Sequence, residues 1–150
     1  MKKTIYTLLF LLITISVFSQ HKNREKIKSL KTSFITEALS LTPSEAEKFW
    51  PIYNLYNNKI KDDKMKLEFT LFRDLKNKGG IDVISNEEAN ELIAEATQLE
   101  KNISDNKIKM TQELSKVLPP KKIIKLYKAE KDFNRRILQE YGRRKKMQGQ

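Results

Sequence analysis

Few residues in this 150-residue chain are equipped for covalent chemistry. There is one histidine, His21, near the start, and there is no cysteine. No thiol is available as a nucleophile, and no serine has a well-placed histidine to act as its base. Gly79, Gly80, Gly142 and Gly149 do not build a phosphate loop. Glu87, Glu91 and Glu95 recur at four-residue steps and share a face if that stretch is helical. Such a row either attracts a hard cation or forms an acidic first turn that suits the helix dipole and then a solvated face. Asp62 and Asp63 are adjacent and point to different sides of a helix, and no soft or nitrogenous ligand joins any of these carboxylates. No metal, no cofactor and no enzymatic activity are expected.

Groups suited to binding are better represented. Phe49, Trp50, Tyr53 and Tyr56 crowd two helical turns around Pro51. Phe49, Tyr53 and Tyr56 fall on an inward stripe, whereas Trp50 and Ile52 sit off it. Aromatic rings beside a proline bend are suited to gripping apolar segments of another polypeptide; packing inside the fold or across a dimer interface is the other role open to Trp50. A second candidate is the basic run Lys121, Lys125, Lys128 and Arg135, with Lys122, Lys131 and Arg136 beside them in the chain. It reads as a solvated face, or as a device that draws in acidic chains over a range limited by salt. The candidate partner-binding set is therefore Phe49, Trp50, Ile52, Tyr53, Lys121, Lys125, Lys128 and Arg135.

Four helical segments are expected to position these groups, giving an all-α fold. The first runs from about Lys22 to Leu39, with Ile27, Leu30, Phe34 and Ala38 inward. The second starts at Thr42, with Pro43 at the first helical position and Glu45 closing a capping box. It runs some 36 residues, about 54 Å, to Gly79-Gly80. Pro51 lies inside it, has no N–H for the Glu47 carbonyl, and predicts a kink. The third starts at a second capping box, Ser85 with Glu88, and carries Leu92, Ala96, Leu99, Ile103, Met110 and Leu114 inward. The fourth runs from Pro120 to Tyr141, with Ile123, Tyr127, Phe133, Ile137 and Tyr141 inward and Gly142 as its stop. The second and third segments are expected to fold as a long antiparallel pair with Phe49 near Leu114, Tyr53 near Met110 and Ile60 near Ile103. The helical domain covers 20–142, and the basic tail 143–150 is expected to be disordered.

Residues 1–19 read as a cleavable export signal: Lys2 and Lys3, an uncharged apolar stretch from Thr4 to Phe18, then small-residue positions ending at Ser19 before Gln20. The apolar stretch is shorter than the roughly 20 residues a membrane-spanning helix needs. Removal of this leader takes the formal charge from +11 to +9, which favours acidic partners and solubility. An exported chain seldom meets nucleic acid, so none is expected as a partner. Without disulfides, stability must come from packing between helices.

Leu41-Thr42-Pro43 followed by Phe49-Trp50 and Ile60 parallels Leu118-Pro119-Pro120 followed by Leu126-Tyr127 and Ile137, at a constant offset of 77. This paired helix start resembles the Leu-Thr-x-x-Gln motifs of the Spy/CpxP family of periplasmic proteins. The string from Leu41 to Tyr56, LTPSEAEKFWPIYNLY, is similar to a Bacteroidetes branch whose members are named sensors of ECF-type sigma factors. Glu45 stands where the family has Gln, and the second copy lacks both Thr and Gln, so contacts made by those side chains differ here.

The resemblance implies a four-helix, long-hairpin fold, a cradle-shaped homodimer and a periplasmic role in envelope stress. It implies ATP-independent binding of unfolded or membrane-associated envelope proteins, or stress sensing through an anti-sigma factor. A dedicated regulatory subunit serving one membrane partner, without general chaperone activity, is the alternative. Peripheral contact with an anionic membrane through the basic tail is a third class.

Overall fold

The computed structural model describes residues 25–148, and all of its regular structure is helical, with no strand among the described residues. The expected leader 1–19 and His21 lie outside them. Helix α1 covers 25–39, α2 Pro43–Glu68, α3 Asn86–Leu114 and α4 Pro120–Gln148. A π-helical segment, Phe69–Asp74, and a last α-helical turn, Leu75–Asn77, continue α2. The chain divides into two compact units: residues up to Leu41 with those from Ile124 onward, and Thr42–Ile123.

In the second unit, α2 and α3 begin with the devices the sequence announces. The Thr42 hydroxyl accepts from the Glu45 N–H at 3.3 Å, while a Glu45 carboxylate oxygen accepts from the Thr42 N–H at 2.8 Å. Ser85 and Glu88 repeat this at 3.2 and 2.9 Å. Each box satisfies two of the backbone donors that a helix start leaves unpaired. Thr42→Ala and Ser85→Ala are each expected to lower stability by about 1 kcal/mol, read from urea unfolding followed by circular dichroism. Between the helices, Gly79 and Gly80 both take φ +98°, a region costly for any residue with a Cβ. The Gly80 N–H donates to the Leu75 carbonyl at 2.9 Å, a Schellman-type closure.

Phe49, Tyr53 and Ile60 of α2 and Leu99, Ile103, Met110 and Leu114 of α3 are buried. Two side-chain hydrogen bonds tie the helices side by side: Asn106 donates to Asp63 at 3.3 Å, and Thr70 donates to Glu95 at 3.1 Å. The pairings climb one helix as they descend the other, so the two are antiparallel.

In the first unit the buried stripes differ from those expected. Ile35 and Leu39 are the fully enclosed residues of α1, and Leu30 is exposed. On α4, Ile123 and Phe133 are buried as expected, and Leu126 and Ala129 join them, while Tyr127 and Tyr141 are exposed. Phe34 and Phe133 meet with ring centroids 5.8 Å apart. The largest correction concerns the C-terminus. The helix passes through Gly142 to Gln148, so residues 143–148 of the tail expected to be disordered are helical. Gly142 ends a helix only where it takes a positive φ, and it is not among the glycines that do. Glu140 also holds Arg143 at 2.9 Å and Arg144 at 3.0 Å across that point, spanning it with two local ion pairs.

Candidate functional site

The expected aromatic cluster forms, but most of it is core. Phe49 and Tyr53 stack 5.3 Å apart, and Trp50 meets both edge-on, at 4.9 and 5.6 Å. Phe49 is 0% and Tyr53 2% exposed, which removes both from the surface proposed for them. Trp50 and Ile52 are half-buried, and Pro51 is exposed. The reason lies in α2's geometry: positions 49, 53 and 60 lie on the face that meets α3, while Trp50 and Ile52 fall on its flanks. What this cluster offers a partner is thus the outer edge of Trp50 and Ile52.

Lys121, Lys125, Lys128 and Arg135 are exposed along α4. Lys128 and Arg135 converge on the Asp132 carboxylate at 2.7 and 3.1 Å, which holds its pKa below the usual aspartate range, the Lys128 hydrogen bond being the main cause. These are local pairs along one solvated face, worth little as stabilisation.

The motif residues meet in a way the sequence half announced. Glu45 and Lys122, equivalent positions at the offset of 77, lie 2.6 Å apart in the second unit. Thr42 has a backbone N–H that needs Glu45, whereas Pro119 has none to satisfy, so position 122 is free to carry a lysine that reaches Glu45 instead. Leu41 is half-buried, Leu118 buried, and Pro43, Pro119 and Pro120 exposed. The Lys122 hydrogen bond, followed by the Thr42 N–H, holds the Glu45 carboxyl below its ordinary 4.5. A lowered folded-state pKa gives stability that is present above the ordinary value and is lost as pH falls through the folded one. In Lys122→Met, the part of the acid decline in Tm due to Glu45 is expected to shrink, while that from Asp132, from Asp105 (held low by its hydrogen bond from Lys101 at 2.6 Å) and from Glu140 (held low by Arg144 and Arg143) persists. Thermal melts between neutral pH and acid check this.

Sequence reasoning missed a group of exposed large apolar residues at one end of the second unit's helix pair. Met65, Phe69, Phe72, Ile81, Val83 and Ile93 come from the end of α2, its π segment, the glycine turn and the start of α3. Phe72 and Ile81 are 69% and 71% exposed. The signal was present as apolar residues off the inward stripes, 65, 69 and 72 being spaced four and three apart. Arg73 lies over the Phe69 ring at 5.7 Å, and Lys64, Lys66, Lys76 and Lys78 are nearby in the chain. π segments recur at functional positions because they break the regular ladder.

Each unit carries an open depression among the described residues. In the first unit an open groove of about 560 Å³ has an apolar floor that includes Leu30, Phe34, Phe133 and Ile137, with Arg136 over the Phe34 ring at 5.2 Å. In the second unit a polar one of about 380 Å³ surrounds the Asp63–Asn106 pair. Glu87, Glu91 and Glu95 are exposed, and Glu95 is engaged by Thr70. No group of three or more potential metal ligands gathers among the described residues. No described helix is long and apolar enough to cross a membrane. Compared with protein-family models, with curated proteins and with solved structures, the chain matches none.

Proposed function

We propose that this protein works in the bacterial envelope as an ATP-independent binder of non-native or partner polypeptides, in the manner of the Spy/CpxP-like proteins it resembles. In this reading the long antiparallel pair, α2 with α3, is the working frame of a cradle-shaped homodimer. The observation that carries it is the set of large apolar side chains left exposed around the π segment and turn, Phe72, Ile81 and Val83 foremost. Exposed large apolar groups gathered in one region mark interaction surfaces. They give grip on apolar segments of a client. The motif residues from Leu41 to Glu45 and from Leu118 to Pro120 set the helix starts that hold this frame. Engagement by apolar contact needs no cofactor and no reactive group.

Light scattering of a chemically denatured client tests the proposal. The protein is expected to slow aggregation at low salt, and Phe72→Ser with Ile81→Ser, at the two most exposed positions, to weaken that effect at least several-fold while the Tm stays close to the parent's. Failure to slow aggregation of any client at low or high salt rejects the chaperone activity. Capture of one stoichiometric membrane partner from envelope extract, with no effect on aggregation, points instead to a dedicated regulator.

A further inference from the structure

The described residues divide their charge unevenly. The second unit, Thr42–Ile123, is balanced, with fourteen Lys and Arg against fourteen Asp and Glu. The net surplus of the described chain therefore sits in the first unit, and most of it lies on α4 from Ile124 to Gln148, where nine cations face three acids. Each of those acids has a cation of the same unit beside it: Glu130 has Lys31 at 3.9 Å, Asp132 has Lys128, and Glu140 has Arg143 and Arg144.

The same stretch exposes an apolar line. Ile124 is 70%, Tyr127 55%, Leu138 72% and Tyr141 54% exposed. Steps of three, eleven and three correspond to about one, three and one helical turns, so the four share one side of the helix. Lys131 and Lys145 follow Tyr127 and Tyr141 by four and fall in the same line. Lys128 and Arg135 occupy the row beside it, seven residues apart. Because the helix continues through Gly142, this line runs unbroken from Ile124 to Lys145, about 32 Å.

We propose that this outward side of α4 lies on an anionic lipid surface. The line is convex and continuous, and the unit's groove is shared with α1 residues rather than set along this line. An extended row of cations with no cavity to define one anion suits many mobile negative headgroups. Ile124 and Leu138 enter the headgroup boundary, the tyrosines sit at its edge, and the lysines reach outward along their stems. This contact is separate from polypeptide binding by the second unit and stands or falls on its own.

Vesicle co-sedimentation tests it, using the chain from Gln20, the expected processed form. The protein is expected to bind mixed phosphatidylglycerol and phosphatidylcholine vesicles far better than phosphatidylcholine alone, and salt is expected to release it. Removing three surface cations, in Lys125→Gln, Lys128→Gln and Lys131→Gln together, is expected to reduce partitioning roughly 100-fold. Ile124→Ser with Leu138→Ser is expected to weaken binding at every salt concentration while the helical circular dichroism signal is kept. Equal binding to neutral vesicles overturns the proposal, as does parent-like binding by either variant. Failure to bind any vesicle, with the same variants instead losing an acidic unfolded polypeptide, also overturns it and assigns the face to protein.

Discussion

Phe49→Ala is expected to lower the folding free energy by about 3–5 kcal/mol, the largest loss from any single truncation argued for this chain. The ring is wholly enclosed, stacks on Tyr53 and is met edge-on by Trp50, so its removal deletes apolar burial and two aromatic contacts together. The cavity lies on the α2 face that meets α3. A chain without cysteine has no cross-link to limit the damage. Domains of this size are stable by only about 5–15 kcal/mol, so the variant is expected to stand near its unfolding threshold at 37 °C. Urea unfolding followed by circular dichroism, with Ile52→Ala as a flanking control, measures the difference. A loss under about 1 kcal/mol at Phe49 contradicts a closed core at this position.

What the sequence shows depends on whether the physics is local. The capping boxes at Thr42 and Ser85 each need four consecutive residues, and both form as read. The stripes of α2 and α3 repeat over many turns, so the residues that bury are largely those expected. Helix α1 carries two apolar lines, one through Leu30 and Phe34 and another through Ile35 and Leu39. Periodicity alone cannot choose between them, because the choice depends on the surroundings of the folded helix, and the second line is the one enclosed. On α4, Tyr127 and Leu126 are adjacent apolar residues, and burial selected the leucine for the same reason.

Gly142 misled because a glycine permits a stop without compelling one, and the Glu140 pairs with Arg143 and Arg144 span it. The π segment carries no glycine or proline to announce it. Its mark in the folded chain is the buried Thr70 hydroxyl bonded to Glu95, a contact between residues 25 apart. Of the aromatic candidates, residue type identified a cluster correctly, but exposure separated Trp50 and Ile52 from Phe49 and Tyr53. That separation follows from which face of α2 meets α3, a tertiary fact.

Pro51→Ala is expected to do the opposite of Phe49→Ala and stabilise the protein by about 2 kcal/mol. Pro51 is the ninth residue of α2, well past the first turn, where a proline's missing N–H does no harm. In a helix interior it forfeits one backbone hydrogen bond and crowds the preceding turn, at a cost of about 3 kcal/mol relative to alanine. Replacing it enlarges the unfolded ensemble, which returns about 0.4–1 kcal/mol of that gain. The side chain is exposed, so little packing is lost. A proline at this place therefore lowers stability beside Trp50 and Ile52, the two half-buried groups left to the candidate surface. An interior proline is expected to bend a helix, and such a bend at Pro51 would set the angle at which those two side chains are offered. If that offer matters to polypeptide binding, Pro51→Ala raises the urea midpoint while slowing aggregation of a denatured client less than the parent does. A lowered midpoint contradicts the helical-strain argument, and a raised midpoint with unchanged client protection removes Trp50 and Ile52 from the binding surface, leaving the exposed side chains around the π segment to carry it.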